Sequence, residues 1–180
     1  MHAVAADSYQ RLGRRLDAVA EWRKAVELDP SDRLFQARLA ESLIRARAYP
    51  EAEGILRTLL AQQPENGEWQ YLLGNLLLQL KRDDEALPHL LAATGRLPDL
   101  LPAQEALGRV YLDLGKPAEA VGRLEKARAL DDGSISFALS SAYRQLGNQE
   151  EARAALARYQ ALTRQRSESG STNEAPISPP

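Results

Sequence analysis

The sequence predicts an all-α fold in which about five antiparallel helix pairs stack as a solenoid, and three observations support it. Apolar residues recur at helical spacing from Leu107 to Leu114, and residues 115–117 (Gly-Lys-Pro) end that helix. A second apolar stripe then runs from Ala120 to Ala127. The same pattern returns along most of the chain. Because one such pair has too few apolar residues to fold alone, the pairs must stack on copies of themselves.

The pattern repeats with a period of 34 residues, the spacing of Pro30, Pro64 and Pro98. Sets of equivalent positions share this spacing, and each set keeps one kind of side chain. The sets are Ala18, Ala52, Ala86 and Ala120; Trp22, Leu56, Leu90 and Leu124; Tyr9, Leu43, Leu77 and Tyr111; Leu39, Leu73 and Leu107; and the small residues Ala6, Ala40, Gly74 and Gly108. We therefore predict one repeat array over residues 1–166. Its repeats span 1–32, 33–66, 67–100, 101–132 and 133–166.

The spacing shortens after residue 132. Tyr111 and Tyr143, which occupy equivalent positions in the fourth and fifth repeats, are 32 residues apart. The two missing residues fall in the loop at Asp132-Gly133. We expect this loop to be shorter than the others and the last repeat to sit at a slightly different angle.

The period of 34, the two helices per repeat, the small residue followed by an aromatic one three positions later, and the closing proline together resemble the tetratricopeptide repeat (TPR). The residues that carry the resemblance are Gly13, Leu73, Gly74, Leu107, Gly108, Tyr111, Gly115, Gly147, the four alanines named first above and the three prolines. It covers roughly residues 3–162. Trp69 lies one residue before the usual opening tryptophan, and Arg47 and Lys81 replace the turn glycine. The resemblance implies a right-handed α-solenoid, the TPR superhelix, that serves as a binding scaffold.

Capping residues and prolines mark the predicted helix starts. These residues are Ser31-Asp32, Asn66 and Asn148 as caps, and Pro50, Pro102 and Pro117 in first turns. Pro88 falls beyond the first turn of its helix and is expected to kink it.

We predict the last helix over about residues 150–164. Residues 167–180 are small, polar and proline-rich, so we expect a disordered tail, either a plain terminus or a linker or recognition segment.

Composition excludes several classes of function. The chain has 180 residues, a net charge of −2 and 44% hydrophobic residues, which suits one domain with a continuous core. Near-neutral charge gives no reason to expect a nucleic-acid or membrane partner. The absence of cysteine excludes a disulfide framework. Neither a signal peptide nor the roughly 20 apolar residues of a spanning helix is recognisable, so a cytoplasmic location is the default expectation.

The first helix begins abruptly, because Met1 and His2 lead directly into Ala3-Val4-Ala5. No neighbouring repeat covers this helix, whereas terminal repeats usually turn a polar face outward. Two interpretations stay open. The first helix is frayed, or the chain is the C-terminal piece of a longer repeat protein, which is the interpretation we favour.

No catalytic or cofactor-binding constellation is recognisable. The sequence lacks a phosphate-binding glycine loop, a His-Glu-x-x-His motif, a Gly-x-Ser-x-Gly turn and any cysteine nucleophile. The acidic residues 83–85 begin a helix, where negative charge favours the helix dipole. His89 has no second ligand at metal-binding spacing, so we assign it to the surface or to packing. We expect a non-enzymatic protein without metal or cofactor.

The resemblance also predicts a peptide-binding groove, because the first helix of each repeat lines the concave side in this family. The predicted groove residues are Arg38, Glu41, Arg45, Tyr71, Asn75, Leu78, Gln79, Glu105, Arg109, Leu112, Asp113, Phe137, Ser141 and Arg144. Tyr71 and Phe137 would anchor an extended or helical peptide. A row of Ile44, Leu78 and Leu112 would face solvent and favour a partner.

In an alternative interpretation these residues do not bind a ligand. Glu41 with Arg45, and Glu105 with Arg109, are then ordinary ion pairs on a solvated helix face, each of which stabilises its helix by about 0.2–0.5 kcal/mol.

Family members that hold the acidic C-terminal tail of chaperones use a clamp of Lys, Asn and Arg residues. Asp7 and Glu41 occupy two positions of that clamp, so we do not expect this chain to bind the acidic tail of a chaperone.

The predicted function is a scaffold for another protein or peptide. The alternative is a spacer or oligomerisation arm of a longer protein that could include an enzyme.

Overall fold

The structure is a computed structural model that describes residues 1–171, with side chains up to residue 168. This part of the chain contains ten α-helices, one short 3-10 helix and no β-strand. The predicted all-α fold is therefore confirmed. The chain forms two compact units, Met1–Pro98 and Asp99–Pro180, which we call the N-terminal body and the C-terminal body.

The N-terminal body consists of three helix pairs. Its helices are α1 (His2–Arg11), α2 (Arg15–Leu28), α3 (Arg33–Arg45), α4 (Tyr49–Gln62), α5 (Gly67–Gln79) and α6 (Asp83–Arg96). Helices α1 and α2, α3 and α4, and α5 and α6 pack as pairs, and α3 also contacts α2 and α5. These pairs correspond to the first three predicted repeats.

The C-terminal body consists of two helix pairs. Its elements are α7 (Leu101–Asp113), α8 (Pro117–Lys126), the 3-10 helix Ala127–Leu130, α9 (Ser134–Gln145) and α10 (Gln149–Ser171). Helix α7 packs on α8, α9 packs on α10, and α9 contacts both α7 and α8.

Helix α10 is longer than predicted and passes the predicted end of the array at residue 166. The segment after Arg164 contains Gln, Arg, Ser and Glu, which a helix tolerates, with Gly170 only at its end, and it has no proline before Pro176. Residues 167–171 therefore end a helix instead of starting a disordered tail. The rest of the predicted tail, residues 172–180, lies outside the described residues.

The equivalent positions of the repeats form the core, as predicted. The alanine set (Ala18, Ala52, Ala86, Ala120) is at most 1% exposed, and Leu56, Leu90 and Leu124 are fully buried. Burying one leucine stabilises the fold by about 1.5–3 kcal/mol relative to leaving it in water. Since these side chains recur once per repeat, each helix pair is fixed by the same contacts.

The turn inside each repeat has one backbone pattern. In repeat 2 the N–H of Arg47 donates to the Ile44 carbonyl (3.0 Å), and the N–H of Ala48 donates to the Leu43 carbonyl (2.9 Å). This pattern ends a helix with a residue in the left-handed region. Gly13, Gly115 and Gly147 take that position in three repeats, whereas Arg47 (φ +62°) and Lys81 (φ +59°) take it in the other two. Arg47 and Lys81 therefore occupy the glycine position, as the sequence indicates.

The loop before α9 is shorter, as predicted. Three residues separate Leu130 from Ser134, whereas four separate α2 from α3, α4 from α5, and α6 from α7. The second missing residue falls in α9, which has 12 residues whereas α3, α5 and α7 have 13. The end of α8 tightens into a 3-10 helix, but α8 and this turn together keep the length of the other second helices. Gly133 then begins α9 with a φ of +108°. The angle of the last repeat stays a prediction.

Two predicted caps and the first-turn prolines are confirmed. Asp32 accepts hydrogen bonds from the N–H groups of Leu34 (2.8 Å) and Phe35 (3.2 Å), and Asn66 accepts one from that of Trp69 (3.1 Å). The first two positions of α4, α7 and α8 each include a proline. Helix α6 continues through Pro88.

Candidate peptide-binding groove

The N-terminal body contains an open groove of about 460 Å³. Helices α3 and α5 supply much of its wall, and the turn between α1 and α2 supplies another part. Five of the predicted site residues line it: Glu41, Arg45, Tyr71, Asn75 and Gln79. The structure therefore brings these five side chains together in one concave surface.

The α3 side of the groove carries a charged triplet. Glu41 accepts a hydrogen bond from Arg38 (3.0 Å) through one carboxylate oxygen and from Arg45 (2.9 Å) through the other. Arg38 and Arg45 lie three residues before and four residues after Glu41, so all three share one helix face. The ion pair between Glu41 and Arg45, which the alternative interpretation treats as an ordinary surface pair, is thus present. The same ion pair also holds Arg45 at the groove wall.

The α5 side of the groove is polar and aromatic. Tyr71 and Asn75 are half-buried and lie one helical turn apart, while Gln79 is exposed at the end of the helix. The Tyr49 hydroxyl donates a hydrogen bond to the Gln79 side-chain carbonyl (3.0 Å), which orients that amide. This side offers one aromatic ring and two amides to a ligand.

The prediction of a solvent-facing apolar row is wrong for Ile44 and Leu78. Ile44 is 6% exposed and Leu78 is 9% exposed, so both are largely buried. Ile44 nevertheless lines the groove with the small part of its side chain that stays accessible, whereas Leu78 does not line it. In the C-terminal body, Leu112 is only partly buried, but it packs against the core of that body. These residues contribute to packing more than to an exposed surface.

The remaining predicted residues lie in the C-terminal body, on α7 and α9. Glu105 and Arg109 form an ion pair (2.9 Å), and Asp113 is exposed at the end of α7. Phe137 is 56% exposed, with its ring centroid 5.3 Å from that of Tyr159. On the same helix Ser141 is half-buried and Arg144 is exposed. Phe137 keeps the exposure that an aromatic anchor needs.

Helical register does not reveal the groove residues that lie in the turns or at the helix ends beside them. Gln10, Gly13 and Arg15 line the groove from the first repeat, and Arg47 lines it from the second. The sequence did carry one signal, because Arg47 stands where most repeats have a glycine. A residue type that departs from the repeat consensus deserves a functional explanation as well as a structural one.

His89 has a packing role in this structure. Its Nδ1 lies 2.6 Å from the Gln70 side-chain carbonyl, and burial lowers the pKa of His89 below its ordinary value.

Among the described residues, no group of three or more His, Cys, Asp or Glu side chains is arranged to hold a metal ion. Within the same residues, no helix combines the length and apolar character needed to cross a membrane.

Paired helices with a regular period and a concave polar groove define a helical-repeat protein. Comparison with known families agrees with this class and makes it specific. The family model described as tetratricopeptide repeat matches residues 4–58, 38–100 and 105–167. The chain belongs to the tetratricopeptide repeat family, as the sequence resemblance implies.

Two curated relatives match part of their own length. The chain is 32% identical over 136 residues to the type IV pilus assembly protein PilF of Pseudomonas aeruginosa, covering 74% of this chain and 54% of that protein. It is 26% identical over 132 residues to the mouse tetratricopeptide repeat protein 21B, covering 69% of this chain and 10% of that protein. The chain thus spans about half of the first relative and a tenth of the second.

Solved structures share the fold over nearly the whole chain. MamA from Desulfovibrio magneticus superimposes with a TM-score of 0.74 at 19% identity, over 91% of this chain and 94% of that one. A thermophilic TPR protein from Thermus thermophilus gives a TM-score of 0.72 at 25% identity, over 88% of each chain. The fold and the family together suggest a scaffold for protein–protein interaction, a class that is generally non-catalytic.

Proposed function

We propose that this chain is a non-catalytic scaffold that holds an extended or helical segment of another protein in the groove of its N-terminal body. The observation that carries the proposal is the groove itself, since α3 and α5 direct five predicted side chains into one open concavity. A cavity of about 460 Å³ is in the usual range for a ligand site and could take a few side chains of a peptide.

The groove offers several kinds of contact to a peptide. The ring of Tyr71 can cover an apolar side chain, and the amides of Asn75 and Gln79 can pair with a peptide backbone. Glu41 and Arg45 add charge at the α3 side. Because the helices are fixed by buried leucines and alanines, the spacing of these groups changes little when a ligand binds.

The C-terminal body supplies a second contact surface in this proposal. Phe137 is its aromatic anchor, and the exposed Asp113 and Arg144 on α7 and α9 would contact polar groups of the same partner or of a second one. Exposed aromatic side chains are enriched at protein interfaces. This supports including Phe137 in the site.

The name of one relative suggests where to search for a partner. The 32% identity with a type IV pilus assembly protein supports testing components of a pilus assembly system first. We do not propose the acidic tail of a chaperone as partner, because Glu41 occupies a clamp position and is engaged by Arg38 and Arg45.

A capture experiment with paired variants tests the proposal. Wild-type protein, a Tyr71→Ala/Asn75→Ala groove variant and an Arg23→Ala/Thr58→Ala control would be used as baits in native lysate. Arg23 and Thr58 are exposed and do not line the groove. Circular dichroism and thermal unfolding would first establish that all three are folded. We expect a protein retained by wild type and control and lost by the groove variant. Retention of the same proteins by all three baits would contradict binding in this groove.

Self-association is a second candidate, and exposed apolar residues at the first repeat favour it. Val4, Leu12 and Leu16 are 71%, 71% and 76% exposed. Large apolar side chains this exposed are candidates for an interaction surface. Light scattering over a range of protein concentrations distinguishes the candidates. A concentration-dependent mass that Leu12→Ser/Leu16→Ser abolishes would favour an oligomerisation arm, whereas a constant monomer mass would argue against it.

A further inference from the structure

Arg47 combines an unfavourable backbone conformation with a place in the groove wall. Its φ of +62° lies in the left-handed region, where glycine is favoured and any L-residue is strained. Three of the five equivalent turns use glycine there. Strained residues that are retained at a ligand-accessible surface are candidates for a functional role. Arg47 is exposed and lines the groove.

The charge of the groove is positive even though the whole chain carries a net charge of −2. Arg15, Arg45 and Arg47 line it, and Glu41 is the acidic residue in its wall. Glu41 is already engaged on both carboxylate oxygens, by Arg38 and Arg45. It therefore leaves the charges of Arg15 and Arg47 without a counterion.

Arg15 and Arg47 make no ion pair or side-chain hydrogen bond with any residue in the described part of the chain. Arg15 is the first residue of α2, directly after the turn that follows α1, and Arg47 lies in the turn between α3 and α4. An unpaired guanidinium presents several N–H donors in a planar fork that matches a carboxylate. The two side chains thus bring unused donors and positive charge to the same groove.

We propose that Arg15 and Arg47 form an anion subsite that binds an acidic side chain, Asp or Glu, of the partner segment. This inference rests on the proposed groove function and adds a specificity to it. We assign the carboxylate to an internal Asp or Glu and not to a free C-terminus, because the groove is open and the proposed ligand is an extended or helical segment. A protein ligand is favoured over nucleic acid because the chain has no overall positive charge.

Lys81 provides a matched control for backbone effects. It has nearly the same strained conformation, with a φ of +59°, at the equivalent turn of the third repeat, but it does not line the groove. Replacing either residue by glycine restores the residue that other repeats have at this position. Neither Arg47→Gly nor Lys81→Gly should therefore prevent folding, and both should relieve the same strain.

The test measures binding of two fluorescein-labelled peptides by anisotropy. One peptide alternates glutamate and leucine over eight residues, with an acetylated N-terminus and an amidated C-terminus, and the second replaces each glutamate by glutamine. Wild type should bind the glutamate peptide about tenfold more tightly, a preference that added salt reduces. Arg47→Gly should reduce that preference at least about threefold, Arg15→Ala/Arg47→Gly should abolish it, and Lys81→Gly should leave it unchanged.

The outcomes separate the anion subsite from the groove. If wild type binds both peptides equally and Tyr71→Ala weakens both, the groove function stands and the anion subsite is wrong. If Arg47→Gly weakens both peptides equally, its effect is structural and the subsite is again wrong. Tighter binding of a short oligothymidylate through the same arginines would overturn the assignment to a protein ligand. If neither peptide binds at about 1 mM, both the subsite and the groove proposal fail for extended peptides of this kind.

Discussion

Gly74 lies so close to Leu90 that a β-carbon at residue 74 would be 2.7 Å from Leu90 Cγ. Gly108 and Leu124 are the equivalent pair in the fourth repeat, and a β-carbon at residue 108 would likewise be 2.7 Å from Leu124 Cγ. At both places the first helix of a repeat packs its backbone directly against a leucine of the second helix. The absence of a side chain at the glycine is therefore what permits this close approach.

Gly74→Ala is expected to destabilise the N-terminal body. The added methyl group must displace the branched part of Leu90, and overpacking of this kind costs about 1–3 kcal/mol. Alanine has a higher helix propensity than glycine, which offsets about 0.5–1 kcal/mol of that loss in stability. We expect the free energy of unfolding, measured with chemical denaturant, to fall by about 1–2 kcal/mol.

Gly54→Ala is the matched control, because Gly54 also lies inside a helix but a β-carbon there would meet no atom within 4 Å. Only the helix-propensity gain applies, so this variant should be more stable by about 0.5–1 kcal/mol. If both variants gain the same stability, the close packing of Gly74 on Leu90 is incorrect.

The fold could be predicted in detail because the 34-residue period makes equivalent residues comparable. Ala86 and Leu90 are recognisable as core from their partners in other repeats, and both are fully buried. The extent of α10 could not be predicted in the same way. Its last residues have no equivalents in other repeats, and their composition suits either a polar helix or a disordered tail.

The groove could be predicted only in part. Tyr71 and Asn75 followed from helical register, but register does not reveal how far a neighbouring helix covers each side chain. Leu78 was therefore placed in solvent although it is only 9% exposed. Arg47 lies in a turn and Arg15 is the first residue of α2, so neither follows from the register of the first helices. Their side chains reach the groove only through the three-dimensional packing of the helices.

Leu107→Ala is expected to cost about 2–5 kcal/mol of unfolding free energy, since Leu107 is fully buried in the C-terminal body and the substitution leaves a cavity. Chemical denaturation would measure this loss. Leu130→Ala provides the comparison, because Leu130 is 43% exposed and should cost less than about 1 kcal/mol. Equal losses for the two variants would mean that the buried position of Leu107 is wrong.

His89 is expected to make stability depend on pH near neutrality. Burial lowers the pKa of His89, and the nearby positive charge of Arg57 lowers it further, against the opposing charge of Glu85. The unfolded chain, with an ordinary histidine pKa of about 6.5, then binds a proton more readily than the folded chain. The stabilising contribution is complete above about pH 6.5 and is lost as the pH falls below that value.

NMR titration of the His89 ring would measure this pKa directly, and urea unfolding at several pH values would measure its consequence for stability. His89→Gln should remove the part of the pH dependence between about pH 5 and 7. A folded-state pKa of His89 at or above the ordinary histidine value would show that burial does not control this group.

Asp131 is expected to be the main acid-sensitive group of the C-terminal body. Its side chain is 0% exposed. Burial alone would raise the pKa of Asp131, but hydrogen bonds from the Ser136 hydroxyl, the Gly133 and Ser136 N–H groups and Arg158 (3.1 Å) together lower it. Stability from this carboxylate is therefore present above the unfolded-state pKa of about 3.9 and is lost as the pH falls through the lower folded-state pKa.

Asp131→Asn removes the charge that Arg158 and the N–H groups of the shortened loop contact. We expect the free energy of unfolding to fall by at least about 2 kcal/mol at pH 7, and by clearly less at pH 3, where part of the wild-type contribution is already lost. Asp99→Asn changes an exposed carboxylate in the same body and should have almost no effect at either pH. A loss at pH 3 as large as that at pH 7 would show that Asp131 acts through its shape and not through its charge.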